Sequence, residues 1–88
     1  MLVKHKKRAV APYNAKLNRM ARCESGGRPW AHNPSGIYHG MFQFDLPTWR
    51  SVGGLGDPHY QSRLEQRYRA VLLIRRRGYA PWPICGYR

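Results

Sequence analysis

Acidic residues are scarce in this sequence. Only four of its 88 residues are Asp or Glu, against sixteen Lys and Arg, and the formal net charge at pH 7 is +12. Such an excess of positive charge favours an anionic partner, and nucleic acid, an acidic membrane surface and anionic wall polymers all qualify. A catalytic site that needs paired carboxylates would have few places to find them.

Long apolar runs are absent as well. The longest aliphatic run, at residues 70–74, is far too short to cross a bilayer, so no transmembrane segment is expected. The basic N-terminus resembles the start of a secretion signal, but no apolar segment or cleavage site follows it. No signal peptide is therefore recognisable.

Metal-binding motifs are missing too. The four histidines are His5, His32, His39 and His59. Each lies alone in a segment that we interpret as tail or loop, so no metal site and no cofactor are predicted. The chain has two cysteines, Cys23 and Cys85, and neither belongs to a CxxC or CxxH pair. A disulfide between them would close most of the chain into one loop and would imply an oxidising compartment. The alternative is two unlinked buried thiols.

The chain divides near residue 12. Residues 1–12 are basic, end in a proline and show no apolar periodicity, which predicts a flexible tail ahead of one domain at residues 13–88. Within that domain the patterns predict helices over 14–24, around 46–52 and over 62–77, and an extended turn or strand pair at 38–44. The fold class is α or α+β.

The first predicted helix carries an acid on its apolar face. Glu24 continues the stripe of Leu17, Met20 and Ala21, so packing should partly desolvate its carboxyl group. Desolvation and the negative end of the helix dipole both raise the pKa of such a group, and a glutamic acid protonated near neutral pH is a general acid. A disulfide at Cys23 would hold that acid in place.

The alternative for Glu24 is an ion pair at the surface with Arg22 or Arg28. The other three acids have structural interpretations: Asp45 as a helix N-cap, Asp57 as a turn residue, and Glu65 in a capping box with the serine three residues before it. A site with one acidic residue favours a reaction in which the substrate supplies its own nucleophile.

Aromatic and amide side chains are concentrated between residues 30 and 49. Asn33, Tyr38, Gln43 and Thr48 lie among these aromatics, and the mixture of stacking faces and hydrogen-bonding groups suits sugars. Most of the aromatics could equally belong to the core, and for the two tryptophans at 49 and 82 the core is favoured.

Several separate motifs resemble one family. "MARCESGGRPWAHN", "GIYHGMFQFDLPTW", "VGG", "SRLEQ" and "RRRGYAPWPIC" follow one another in the order and nearly the spacing of the resuscitation-promoting factor domain, a transglycosylase-like member of the lysozyme superfamily. The resemblance covers about residues 17–86. It implies an α+β, mostly helical, small lysozyme-like fold with a short β element and one disulfide, Cys23–Cys85.

The resemblance also implies a reaction. Glu24 matches the catalytic glutamate that protonates the β-1,4 bond between N-acetylmuramic acid and N-acetylglucosamine in peptidoglycan, after which the muramic acid 6-hydroxyl closes onto C1. Gln43 and Thr48 match positions that line the substrate cleft, and Asn33 and Tyr38 are further candidates.

The sequence departs from the family pattern at several positions. Leu17 replaces a tryptophan, Pro34 and Met41 stand where threonine and glycine are common, and the turn at residues 28–29 is one residue longer than usual. Arg77 stands where a cleft-facing glutamine is frequent, and an arginine there could bind a carboxylate of the peptide stem or lactyl group.

The expected function is therefore that of a lytic transglycosylase. The alternatives are a hydrolytic muramidase and a non-catalytic basic module that binds the envelope or nucleic acid. Peptidoglycan and anionic wall polymers are the expected partners, without specific nucleic-acid binding. We expect a monomer acting outside the cell or at the wall, with delivery by a phage as one route.

Overall fold

The computed structural model describes residues 2–88 as four α-helices joined by loops and short 3₁₀ turns. The helices are α1 (Leu2–Val10), α2 (Asn14–Ser25), α3 (Leu46–Ser51) and α4 (Arg63–Arg77). The 3₁₀ turns are Ala11–Tyr13, Pro58–Tyr60 and Cys85–Tyr87. None of the helices described is long and apolar enough to span a membrane.

The β element consists of two isolated antiparallel bridges. One bridge pairs His32 with His39 and the other pairs His39 with Phe44. The second closes a hairpin-like turn, because the backbones of His39 and Phe44 exchange hydrogen bonds of 2.9 and 3.0 Å across residues 40–43. The predicted mostly helical α+β fold with a short β element is confirmed.

The core lies between α2, α4 and the aromatic residues of the central loop, which we define as residues 26–45. The predicted stripe of α2 is confirmed, because Leu17, Met20 and Ala21 are all buried. Trp49 and Trp82 also belong to the core, as expected, and the indole nitrogen of Trp82 donates to the Phe42 carbonyl at 3.0 Å. Burial of each large side chain contributes about 1.5–3 kcal/mol before entropy is counted.

Most of the predicted helix ends are confirmed. Gly26 ends α2 in the left-handed region at φ 67°, which glycine reaches without a Cβ clash. Asp45 caps α3 by accepting the Thr48 backbone N–H at 2.8 Å, and Ser62 caps α4 through its hydroxyl. The capping box is incomplete, however, because the Glu65 side chain pairs with cations instead of reaching back to the cap.

Residues 2–10 form helix α1, whereas the sequence pattern indicates a flexible tail. α1 packs against α4, with Ala9 and Val10 buried and Lys6 bonded to Glu65. The ring of His5 contacts the ring of Tyr68 edge-on, with the centroids 5.9 Å apart. Nζ of Lys6 lies 5.4 Å from the centroid of the same tyrosine ring. The small apolar side of this basic segment is therefore stabilised by α4, a partner distant in sequence.

The sequence pattern of α4 predicts an apolar stripe of Leu64, Tyr68, Val71 and Leu72, and the structure bears this out only in part. Val71 is buried, but the other three are only partly buried. The remaining buried residues of the helix are Gln66, Ala70, Leu73 and Ile74. Tyr68 lies on the flank of α4 that α1 covers, away from the centre of the core.

A buried glutamine joins α4 to the loops that shape the concave side of the molecule. The Gln66 side chain accepts the Met41 backbone N–H at 2.8 Å and donates to the carbonyls of Pro29 and Gln61 at 3.0 and 2.9 Å. It is completely buried, so no water replaces these bonds if the amide is removed.

Gln66→Leu should lower the free energy of unfolding by about 1–3 kcal/mol, because it leaves buried backbone groups unpaired. Urea unfolding followed by circular dichroism measures the change. Gln61→Leu is the matched control, since the Gln61 amide makes an exposed hydrogen bond, and it should cost less than about 1 kcal/mol. Equal effects of the two substitutions would contradict the role given to Gln66.

Candidate active site

Three cavities that share lining residues form one cleft on the surface of the protein. The largest has a volume of about 540 Å³ and is bounded by the end of α2, the central loop and the C-terminal segment. Gln43 lines all three cavities, and Glu24 lines two of them. The cleft is therefore continuous past the end of α2.

Glu24 is a half-buried carboxyl group in the last turn of α2. Burial raises the pKa of Glu24 above its ordinary value. Within residues 2–88 no cation lies within 4.0 Å of its carboxylate, and Arg28 instead donates its Nε–H to the Ser25 carbonyl at 2.7 Å. The alternative ion pair with Arg22 or Arg28 is thus not formed.

The two neighbours of Glu24 are both anchored. Cys23 forms a disulfide with Cys85, which the sequence predicts. Ser25 is buried, and its hydroxyl donates to the carbonyls of Ala21 and Met41 at 3.0 and 2.9 Å. One anchor connects the helix end to the C-terminal segment and the other to the central loop, so the backbone of Glu24 is held on both sides.

The other three acids have different environments. Burial pushes the pKa of Glu65 up, but hydrogen bonds and charges from Lys6 and Arg69 outweigh it and lower the pKa. Asp57 accepts the His59 backbone N–H at 3.3 Å. Asp45 lines the second cavity while capping α3. For the part of the chain described, Glu24 supplies the sole carboxyl side chain of the first and third cavities.

The residues predicted to bind substrate all line the cleft. Asn33 lines the first and third cavities and Tyr38 the first and second. Thr48 and Arg77 line the second cavity. The structure therefore brings together side chains that are up to 44 positions apart in the sequence.

Gln43 has an unusual backbone. Its φ of 52° lies in the left-handed region, where it is the one residue other than glycine in the part of the chain that the structure describes. Its side-chain amide donates to the Gly40 carbonyl at 2.9 Å, which helps to hold the turn. Non-glycine residues in this region are uncommon and cost about 1–2 kcal/mol, and they are found preferentially at functional sites.

Sequence reasoning missed one wall of the cleft. The C-terminal segment contributes Pro81, Trp82, Pro83 and Ile84 to the first cavity, and Trp30, with 61% of its surface exposed, borders the third. The run "APWPIC" could have indicated this wall. Its closely spaced prolines stiffen the segment, and the disulfide holds the segment against α2.

Three of the histidines come together, whereas the sequence pattern places them singly in separate segments. His32, His39 and His59 present ring nitrogens within 4.8 Å of one another. No sequence pattern indicates this cluster, because the three residues meet only through the bridge and the turn at Pro58–Tyr60.

Comparison with known proteins shows a clear similarity. A family model described as "Transglycosylase-like domain" matches residues 11–85. The chain is 41% identical over 71 residues to a resuscitation-promoting factor of Micrococcus luteus, covering 81% of this chain and 31% of that protein.

Two further relatives carry the same name. A resuscitation-promoting factor of Mycobacterium tuberculosis is 40% identical over 76 residues, covering 86% of this chain and 44% of that protein. One of Corynebacterium glutamicum is 38% identical over 81 residues, covering 89% and 42%. The chain thus spans less than half the length of these relatives.

Proposed function

This chain belongs to the transglycosylase-like domain family, and on that premise we propose that it is a lytic transglycosylase of peptidoglycan. The bond cleaved is the β-1,4 linkage from N-acetylmuramic acid to N-acetylglucosamine. The observation that carries the proposal is the half-buried Glu24, whose pKa burial raises, in a cleft able to accept a glycan strand.

Glu24 acts first as an acid and then as a base. The protonated carboxyl group donates its proton to the glycosidic oxygen as the bond from that oxygen to C1 of the muramic acid breaks. The resulting carboxylate accepts the proton of the 6-hydroxyl as O6 of the same sugar bonds to C1. The product ends in a 1,6-anhydro ring, and Glu24 regains its proton. Lysozyme is the known example of a glutamate kept protonated by an apolar pocket.

The composition of the two cavities that Glu24 lines supports an internal nucleophile, and Asp45 in the second cavity is occupied in capping α3. The first and third cavities contain no second carboxyl side chain within residues 2–88 that could attack C1 or activate water opposite Glu24. A hydrolytic muramidase remains the second candidate, in which water replaces O6 as the nucleophile.

The other side chains of the cleft hold the strand. Gln43 and Asn33 line the cavities of Glu24 and offer amide groups to the sugars next to the cleaved bond. Tyr38 and Thr48 extend the surface into the second cavity, where the guanidinium of Arg77 suits a lactyl or peptide-stem carboxylate.

The charge of the protein supports action at the wall. A net charge of +12 concentrates the domain on anionic wall polymers through long-range attraction. Action outside the cell follows from this substrate and agrees with the disulfide. The relatives named are bacterial proteins, so delivery by a phage gains no support from them.

Product analysis tests the proposed reaction. Purified cell walls are digested with the protein and with Glu24→Gln, and the soluble fragments are identified by mass spectrometry. Anhydromuropeptides, each lighter by one water than its reducing counterpart, are expected from the unchanged chain alone. Fragments with reducing ends only would establish a muramidase. No fragments, together with steeply salt-dependent DNA binding, would establish a basic binding module.

The pH dependence follows from the raised pKa of Glu24. Activity that needs the protonated acid is retained above the pKa of an ordinary glutamate and falls as pH rises through the raised pKa. Folding prefers the protonated form, so its contribution to stability is full below the unfolded-state pKa and is lost as pH rises through the folded-state pKa.

Initial rates of wall clearing against pH, and urea unfolding of the unchanged chain and Glu24→Gln over the same range, measure both effects. The difference in stability between the two proteins should shift in favour of Glu24→Gln as pH rises. A constant difference would contradict the raised pKa.

A further inference from the structure

Three histidines from distant parts of the central region form a cluster beside the cleft. The ring centroids of His32 and His39 are 4.9 Å apart, those of His32 and His59 are 4.7 Å apart, and those of His39 and His59 are 5.5 Å apart. One ring nitrogen of each residue lies within 4.8 Å of a ring nitrogen of each of the others, and the ring of His59 stacks on those of His32 and His39 at interplanar angles of 27° and 10°. We call these residues the histidine cluster.

A carboxylate stands against two of the rings. Oδ1 of Asp57 lies 3.2 Å from Nδ1 of His39 and 2.5 Å from Nδ1 of His59. Neither contact has the geometry of a hydrogen bond, so both Nδ1 atoms are buried without a hydrogen-bond partner among residues 2–88. The His39 side chain is only 6% exposed. Unpaired buried nitrogens are costly and are rare in folded proteins.

We propose that the histidine cluster and Asp57 bind Zn²⁺. Zinc is bound in proteins by imidazole nitrogens and carboxylate oxygens at about 2.0–2.2 Å, in a tetrahedron whose neighbouring ligand atoms are therefore about 3.3 Å apart. The 3.2 Å between Asp57 and His39 matches that spacing, whereas the 2.5 Å between Asp57 and His59 is shorter, so these two side chains must move apart when the ion binds. His32 is exposed, so rotation of its ring away from the stack on His59 would close the remaining distance.

The choice of metal follows from the ligands. Three imidazoles and one carboxylate are a nitrogen-rich set, which suits Zn²⁺ and not the all-oxygen coordination that Mg²⁺ and Ca²⁺ require. The carboxylate also offsets part of the charge of the cation, which matters in a chain with a net charge of +12. His32 lines the third cavity together with Glu24, but the histidine cluster has no role in the proposed reaction.

The proposed site would stabilise the loop that forms one wall of the cleft. His32 precedes Asn33 and His39 follows Tyr38, so two ligands flank the two cleft residues of this loop. The loop already closes through a hydrogen bond of 2.9 Å from the Asn33 N–H to the Tyr38 carbonyl. A zinc ion on its other side connects this loop to the turn at Pro58–Tyr60 and fixes Asn33 and Tyr38 relative to the rest of the cleft.

Isothermal titration of the full chain with zinc chloride tests the proposal. We expect one ion bound per chain. His32→Gln should weaken binding by at least tenfold, and this variant should fold because the replaced side chain is exposed. Asp57→Asn should weaken binding by at least the roughly tenfold that loss of an outer-shell partner costs, because Asp57 is a direct ligand, and the amide keeps an oxygen that accepts the His59 backbone N–H.

The matched control is His5→Gln, since His5 lies on α1 beside Tyr68 and outside the cluster. It should bind zinc as the unchanged chain does. Thermal unfolding gives a second readout, because zinc should raise the Tm of the unchanged chain and of His5→Gln and have a smaller effect on His32→Gln.

Absence of zinc binding, or equal affinities of His32→Gln and the unchanged chain, would overturn the proposal. A loss confined to His5→Gln would place the ion elsewhere and would overturn it too. Because the readouts are heat and Tm, the outcome does not depend on whether the domain cleaves peptidoglycan.

Discussion

Glu24→Gln should lower the rate of peptidoglycan solubilisation by about 10²- to 10⁴-fold. The amide keeps the size of the side chain but cannot deliver the proton that the departing sugar oxygen needs. Release of soluble muropeptides from purified walls measures the rate, and circular dichroism checks that the variant is folded. Since no cation pairs with Glu24 in the described structure, the substitution breaks no ion pair and should not destabilise the domain.

The other glutamate provides the control. Glu65→Gln makes the same chemical change at a carboxyl group whose pKa is lowered by its cations and that lies on α4 away from the cleft. It should leave the cleavage rate within a few-fold while weakening the contact of α1 with α4. Unchanged turnover in Glu24→Gln, or equal losses in both variants, would exclude Glu24 as the acid.

Replacing both cysteines by serine should lower the free energy of unfolding by about 4 kcal/mol on the chain-entropy model, because the disulfide joins residues 62 positions apart. Stabilities of small domains begin at about 5 kcal/mol, so the variant should be close to unfolded at moderate temperature. Urea unfolding of the unchanged chain, with and without reductant, and of the double variant measures the difference.

Reductant should destabilise the unchanged chain and leave the double variant unaffected. Cleavage should decline before the domain unfolds completely, since Cys23 adjoins Glu24 and its bond holds the C-terminal wall of the cleft. A double variant as stable as the unchanged chain would show that packing alone holds the end of α2.

Local signals explain why most helices could be predicted. These signals involve residues within one or two helical turns of each other. They are the apolar stripe of α2, the left-handed glycine at its end, and the side chains that cap α3 and α4. α1 could not be predicted in this way, because its stability comes from Lys6 meeting Glu65 and from Tyr68, which lie about sixty residues away.

The resemblance to the family predicted which residues line the cleft, but it did not predict how the loops around the cleft are held together. Similar motifs indicated which residues would face a glycan, but their roles remain proposals. Three features depend on the path of the central loop: the backbone strain at Gln43, the hydrogen bonds of Ser25 and the histidine cluster. The turns of this loop carry only weak sequence signals. Loops meet through a few specific hydrogen bonds, such as those of Gln66, and a linear pattern does not encode those partners.

If the cleft binds a glycan as proposed, Gln43 would contact neighbouring sugar units, because it lies at the junction of the three cavities. A saccharide unit that reorients this amide changes the surface offered to the next unit. The binding free energies of short oligosaccharides should therefore not add up to the binding free energy of a long strand. The difference would measure the cooperativity between sugar units along the glycan.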